Sequence, residues 1–74
     1  MERYLNLSGN SGVSGYEIGD VYIRVKFHTD EVYRYSYARA GRQHVENMKV
    51  LAVGGRGLST YINKHVHDLY DREE

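Results

Sequence analysis

Residues 21–27 read Val-Tyr-Ile-Arg-Val-Lys-Phe, and residues 32–37 read Val-Tyr-Arg-Tyr-Ser-Tyr. In both stretches apolar or aromatic residues alternate with polar or charged ones. Because successive side chains of a strand point to opposite faces, the alternation predicts two neighbouring antiparallel strands, each with one buried and one solvated face. Thr29, Asp30 and Glu31 supply the turn between them.

The turn decides which face of the sheet carries three alternating tyrosines, Tyr33, Tyr35 and Tyr37. A two-residue loop pairs His28 with Tyr33 and makes the rings an exposed platform of the kind that stacks nucleobases. A three-residue loop pairs Phe27 with Tyr33 and makes the rings a wall of the core. We favour the second register, because the first buries Arg34 and Ser36 among apolar side chains, and an unpaired buried arginine is costly.

The solvated face of this sheet carries fixed positive charge. Arg24 and Lys26 lie in water in both registers, beside Tyr22 and His28 on the same strand face, and the favoured register adds Arg34. Cations beside an aromatic ring can bind a phosphate backbone. We therefore predict a polyanion-binding surface formed by Tyr22, Arg24, Lys26, Arg34, Arg39 and Arg42. An ordinary solvated sheet face is the alternative, and the zero formal net charge argues against strong non-specific DNA binding.

After Ala38 the apolar period changes to three and four residues, which predicts an amphipathic helix through Val45, Met48 and Ala52. Gly54-Gly55 ends this helix, because glycine readily takes the left-handed conformation of a helix C-terminus. A second helix begins near Gly57 or Leu58. Its predicted apolar stripe comprises Leu58, Tyr61, Ile62, His65, Val66 and Leu69, so His65 is interpreted as a packed core residue.

The segment before the alternating strands is rich in Ser and Gly. Residues 8–19 predict turns, with one short strand at residues 16–18 and a tight hairpin at Gly19-Asp20. The expected architecture is α+β: a small antiparallel β-meander of about three strands, followed by two helices packed on one face. The chain forms one domain over residues 1–74, with flexible ends at residues 1–7 and 71–74.

Length and composition limit the class of protein. A chain of 74 residues buries only about 60% of its unfolded surface, so a homodimer is one expected route to stability. The absence of Cys excludes disulfides and Cys-ligated metal centres. We expect a cytoplasmic protein, since no apolar run resembles a signal peptide or approaches the roughly 20 residues of a membrane span.

No arrangement of side chains predicts catalysis, so we expect no enzyme, no cofactor and no small-molecule substrate. His65 and His67 point about 200° apart on a helix, and no metal site is expected. The free N–H groups at Leu58 and Ser59, beside Arg56, are a weaker candidate for anion binding.

Several motifs occur in a fixed order along the chain. They are a Ser-Asn-Ser-like start at residues 8–11 leading to Tyr16, an alternating strand over residues 23–27, a Tyr-x-Tyr at Tyr33 and Tyr35, and an Asn-x-x-aliphatic-x-x-x-Tyr at Asn63, Val66 and Tyr70. Together they resemble the KTSC domain, a short module found at the C-terminus of some lysyl-tRNA synthetases and as stand-alone bacterial proteins. The resemblance covers residues 8–70 and assigns these motif residues a mainly structural role.

The resemblance implies a module without an established activity, and its association with a tRNA-handling enzyme suggests RNA binding by analogy. Similar proteins tend to be basic around the last helix, whereas this chain has His67 and an acidic tail there. The sheet face, with Arg39 and Arg42, is therefore the better surface for RNA. We expect a small non-catalytic binding module for RNA. The alternative is a protein-interaction or structural module that acts as a homodimer or accessory subunit.

Overall fold

The computed structural model describes residues 1–71 as one antiparallel sheet followed by helices. Four strands lie side by side in chain order: β1 (Glu2–Arg3), β2 (Val13–Ile18), β3 (Tyr22–Phe27) and β4 (Val32–Ser36). The helices are α1 (Tyr37–Ala40), α2 (Arg42–Gly54) and α3 (Leu58–Tyr61), which continues into a π-helical segment, Ile62–Val66. The predicted α+β meander is confirmed, with four strands where about three were expected and with the short α1 as an additional helix.

The pairing of β3 with β4 puts the tyrosines on the core side. Ile23 lies opposite Tyr35 and Val25 opposite Tyr33, and the Tyr35 side chain is only 2% exposed. The loop has three residues, but they are His28, Thr29 and Asp30, because the Phe27 amide donates to the Glu31 carbonyl at 2.9 Å. The predicted pairing was therefore wrong by two residues. A slip of two residues changes no face, since side chains alternate with a period of two.

Tyr37 does not continue the strand as predicted, because β4 ends at Ser36 and Tyr37 begins α1. The Ser36 hydroxyl accepts a hydrogen bond from the Arg39 amide at 3.2 Å and so caps the new helix. The Tyr37 ring still packs at the edge of the core, and its hydroxyl donates to the Glu46 carboxylate. One serine thus turns the chain from the sheet into the helical layer.

The N-terminal residues contact the rest of the fold, where the sequence predicted a flexible end over residues 1–7. Residues 2–3 pair with β2, and Tyr4 is 3% exposed. The Tyr4 hydroxyl accepts a hydrogen bond from the Leu58 amide at 3.3 Å. At the other end, Asp71 bridges to Arg34 of β4, and the predicted flexible residues 72–74 lie outside the described residues.

The core lies between one face of the sheet and the helices. The sheet contributes Ile23, Val25 and Tyr35 to one buried cluster. Helix α2 adds Val45, Met48 and Ala52, and the last helical segment, which is α3 with its π-helical continuation, adds Leu58, Ile62 and Val66. Gly55 ends α2 with φ of 76°, as predicted. A Cβ atom there would lie 2.8 Å from the Leu5 Cβ, so the N-terminal segment also requires this glycine.

Candidate binding surfaces

The sheet face opposite the core carries a row of charged side chains that runs across three strands. Glu17 of β2 lies opposite Arg24 of β3, Arg24 lies opposite Arg34 of β4, and Arg34 bridges to Asp71. The Arg24 Nη1 is 3.4 Å from the Glu17 Oε1, and the Arg34 Nε is 2.9 Å from the Asp71 Oδ2. The two central arginines of the row therefore each have an acidic neighbour, which lowers the positive potential of this face.

A concavity of about 670 Å³ opens at one end of this face and is lined by Tyr22, Arg34, Ser36, Arg39 and Asp71. The Arg34 guanidinium carbon lies 5.9 Å from the centre of the Tyr22 ring, within cation–π range. The Ser36 hydroxyl donates to the Asp71 Oδ1 at 2.8 Å. Strands β3 and β4 and helix α1 thus place one ring and two guanidinium groups around the same hollow, and Asp71 adds one carboxylate.

Tyr22 is held in place by the acid at the start of the row. Its hydroxyl donates to the Glu17 Oε2 at 2.9 Å. This hydrogen bond, together with the negative charge of Glu17, raises the pKa of Tyr22. The phenol is therefore neutral at physiological pH, Glu17 fixes the position of its hydroxyl, and the Arg34 guanidinium lies within cation–π range of its ring.

The six residues that the sequence selected for polyanion binding do not form one patch. Tyr22, Arg34 and Arg39 line the concavity, and Arg24 lies beside it in the row. Lys26 forms an ion pair with Asp30 at 3.7 Å near the β3–β4 loop. Arg42 lies at the start of α2, where its guanidinium carbon is 5.9 Å from the centre of the Tyr37 ring.

Four motif residues behind the family resemblance, Tyr33, Tyr35, Asn63 and Tyr70, line a second hollow on the helix side of the sheet. This tyrosine cleft has a volume of about 230 Å³ and is lined by Phe27, Tyr33, Tyr35, Asn63, Asp68 and Tyr70, among others. The ring centres of Tyr33 and Tyr70 are 4.7 Å apart, and those of Tyr35 and Tyr70 are 6.4 Å apart. The sequence motif placed these residues in a structural role and did not predict that they share a cleft.

Helix α2 and the last helical segment bring together an aromatic and polar group that sequence reasoning missed. The Tyr61 hydroxyl lies 2.6 Å from the His44 Nδ1 and accepts a hydrogen bond from the Asn47 side chain at 3.0 Å. The His44 and His65 rings are stacked with centres 5.6 Å apart. His65 is exposed, so its predicted place in the core was wrong. The sequence carried only one sign of this group, which is that its members recur at helical spacing in two segments far apart in the chain.

The weaker candidate for anion binding at Leu58 and Ser59 is not available. The Leu58 amide, which would have been free, donates instead to the buried Tyr4 hydroxyl. Within residues 1–71 no group of three or more His, Cys, Asp or Glu side chains could hold a metal ion.

An apolar notch lies at the opposite edge of the sheet from the charged concavity. It has a volume of about 410 Å³ and is lined by Met1, Tyr16, Ile18 and Val53, among others. Ile18 is 43% exposed and Val53 is 62% exposed. Because β1 pairs only with residues 15 and 16 of β2, β1 leaves the last two residues of β2 without a neighbour at this edge.

Comparison with known proteins adds no relative: no protein-family model, no curated protein and no solved structure matches this chain. None of the helices formed by residues 1–71 has the length and apolar character to cross a membrane.

Proposed function

We propose that this protein is a small non-catalytic binding module that contacts single-stranded RNA through the concavity lined by Tyr22, Arg34 and Arg39. The observation that carries the proposal is the convergence of these three residues, which come from β3, β4 and α1, on one hollow. They are three of the six residues that the sequence pattern selected. The resemblance to a module attached to lysyl-tRNA synthetases supports the same class of ligand, and a cytoplasmic location belongs to the same proposal.

The chemistry of the concavity suits a splayed single strand. An unstacked base can lie on the Tyr22 ring, and the Arg34 guanidinium beside it can contact an adjoining phosphate in place of Asp71. The Arg39 guanidinium is exposed and makes no ion pair with the described residues, so it is available for a bidentate contact with a phosphate. Asp71 opposes such binding electrostatically, which predicts a weak and strongly salt-dependent complex.

The proposal can be tested with a labelled single-stranded RNA, whose binding is measured by fluorescence anisotropy at about 50 mM salt. We expect Arg39→Gln to weaken binding several-fold. Arg56→Gln is the matched control, since it removes the same charge from an exposed residue outside the concavity. Absence of binding by the wild-type protein at this salt concentration, or an equal effect of the two substitutions, would rule out the proposed site.

A second candidate function is supported by the apolar notch. A second copy or another protein could bury Met1, Ile18 and Val53 there and could pair with the end of β2 as an added strand. This is the homodimer or accessory-subunit hypothesis. Light scattering tests it directly: a dimer that Val53→Ser converts to a monomer would support it, and a wild-type monomer at high protein concentration would exclude self-association.

A further inference from the structure

The tyrosine cleft combines four aromatic rings with a polar group that has no partner inside the fold. Tyr35 is 2% exposed, and its hydroxyl makes no hydrogen bond with the described residues. No fully buried side-chain nitrogen or oxygen of these residues lacks a partner. The Tyr35 oxygen therefore reaches solvent, and it does so through the cleft that its ring lines. A hydroxyl directed into a cleft with no partner is available to a ligand.

Other polar residues of the cleft also carry oxygen atoms that can accept hydrogen bonds. Asn63 and Tyr70 line the cleft, and neither side chain makes a hydrogen bond with the described residues. Asp68 is exposed at the edge of the cleft, and its Oδ1 lies 2.9 Å from the Nδ1 of the neighbouring His67. Three neutral oxygens and one carboxylate oxygen can therefore accept hydrogen bonds from one occupant.

The electrostatic character of the cleft favours a cation. The faces of Phe27, Tyr33 and Tyr70 are electron-rich, and ring centres lie 4.7 to 5.6 Å apart along the series. The carboxylate of Glu31 raises the pKa of Tyr33, so a negative charge lies near the hydroxyl of this ring. No Lys or Arg is among the described residues that line the cleft. His67 also lines the cleft, but its Nδ1 is already 2.9 Å from the Asp68 carboxylate, so it is a poor partner for an incoming phosphate or carboxylate.

The size of the cleft limits the occupant to one small group. Its volume of about 230 Å³ is below the roughly 300–1,000 Å³ of sites for drug-sized ligands. A planar cation with several N–H donors matches both the rings and the acceptor oxygens. Guanidinium has this shape, stacks on aromatic faces and is weakly hydrated, whereas an ammonium ion is a compact and strongly hydrated charge.

We propose that the tyrosine cleft is a binding site for a guanidinium group, stacked on the rings of Tyr33 and Tyr70 and hydrogen-bonded to Tyr35, Asn63 and Asp68. The group is carried either by a free small molecule or by an arginine side chain of a partner protein. The site is independent of the RNA proposal, because it lies between the core face of the sheet and the last helical segment, away from the concavity.

Neutral isosteres give a sharp test, with the tyrosine ring signals followed by NMR. N-butylguanidinium and N-butylurea have the same shape but differ in charge, and they represent the free ligand. The peptides Gly-Arg-Gly and Gly-citrulline-Gly make the same comparison for a side chain. We expect the cationic member of at least one pair to shift the Tyr33 and Tyr70 signals, and the matching urea to leave them unchanged. Equal shifts by both members, or no shift by either cation, would overturn the proposal.

Two substitutions at exposed residues locate the binding without disturbing the core. Asp68→Asn removes the carboxylate at the edge of the cleft and should weaken binding of the cation about threefold to tenfold. Asp20→Asn makes the same change of charge in the exposed loop between β2 and β3 and should have no effect. An equal loss in both variants would show attraction to the net charge of the protein instead of binding in the cleft.

Discussion

Asp71 binds Arg34 with both its backbone and its side chain. The Asp71 amide donates to the Arg34 carbonyl at 2.6 Å, and the Arg34 Nε donates to the Asp71 Oδ2 at 2.9 Å. The same carboxylate accepts a hydrogen bond from Ser36. The last described residue thus fixes an arginine of the proposed RNA site and at the same time competes with phosphate for it.

Asp71→Asn should therefore strengthen RNA binding. The amide can keep the hydrogen bond to Ser36 but no longer offsets the Arg34 charge, so affinity should rise about two- to fivefold, as for loss of an exposed ion pair. The measurement is anisotropy of labelled RNA at low salt. Glu2→Gln removes one negative charge at the opposite edge of the sheet and serves as the control. An unchanged or lower affinity of Asp71→Asn would contradict this role of Asp71.

Ser36→Ala should lower the free energy of unfolding by about 1 kcal/mol. The substitution removes the acceptor for the Arg39 amide at the start of α1 and also removes the donor to Asp71. Chemical denaturation of the variant gives the value directly. Ser8→Ala, in the exposed part of the N-terminal loop, should be neutral by comparison. Equal stability of the two variants would mean that the cap contributes nothing.

Two buried tyrosines should respond differently to loss of the hydroxyl. Tyr4→Phe leaves the Leu58 amide without its partner inside the fold, which should cost about 1–3 kcal/mol. Tyr35→Phe removes a hydroxyl with no partner among the described residues and should change stability by less than about 0.5 kcal/mol. Urea denaturation of both variants makes the comparison. A larger cost for Tyr35→Phe would show that its hydroxyl has a structural role.

The protein should lose stability at alkaline pH because of its tyrosines. Burial raises the pKa of Tyr35 from 10.0 to about 12. The neutral phenol is favoured in the folded state, so this contribution is complete below pH 10 and is lost as pH rises toward the folded pKa, at about 1.4 kcal/mol per pH unit. Tyr22, Tyr33 and Tyr37, whose pKa values are also raised, act in the same direction.

Denaturation curves at a series of alkaline pH values test this expectation, with Tyr35→Phe as the matched control. The variant should show a shallower decline above pH 10 than the wild-type protein, because one buried titrating group is gone. Identical declines in the two proteins would contradict the assignment of Tyr35 as a buried phenol with a raised pKa.

The faces of the sheet could be predicted from the sequence, whereas the position of the turn could not. Side chains of β3 and β4 alternate with a period of two residues. The period therefore assigns Val25 and Tyr35 to the core both in the predicted register and in the observed one, which differs from it by two residues. The turn depends on Asp30, which adopts a φ of 73°. Aspartate tolerates this left-handed conformation better than most residues, and nothing in the hydrophobic pattern distinguishes it from the neighbouring positions.

The N-terminal strand and both binding surfaces depend on pairs of residues far apart in the chain. Tyr4 is ordered by Leu58, and Arg34 is paired with Asp71. A strand of two residues has no period to detect, and ion pairs between distant segments leave no local signal. The sequence therefore predicted Tyr22, Arg34 and Arg39 of the concavity. It predicted neither their acidic neighbour Asp71 nor the tyrosine cleft, which depend on contacts between distant segments.

The salt dependence of RNA binding tests the central proposal most directly. Each phosphate contact with a single strand contributes a slope of about −0.7 in a plot of log affinity against log salt. We predict that Arg34→Gln combined with Arg39→Gln makes the slope shallower by about 1.4, whereas Arg56→Gln leaves it unchanged. A wild-type slope near zero, or a double variant with the wild-type slope, would contradict RNA binding through this concavity.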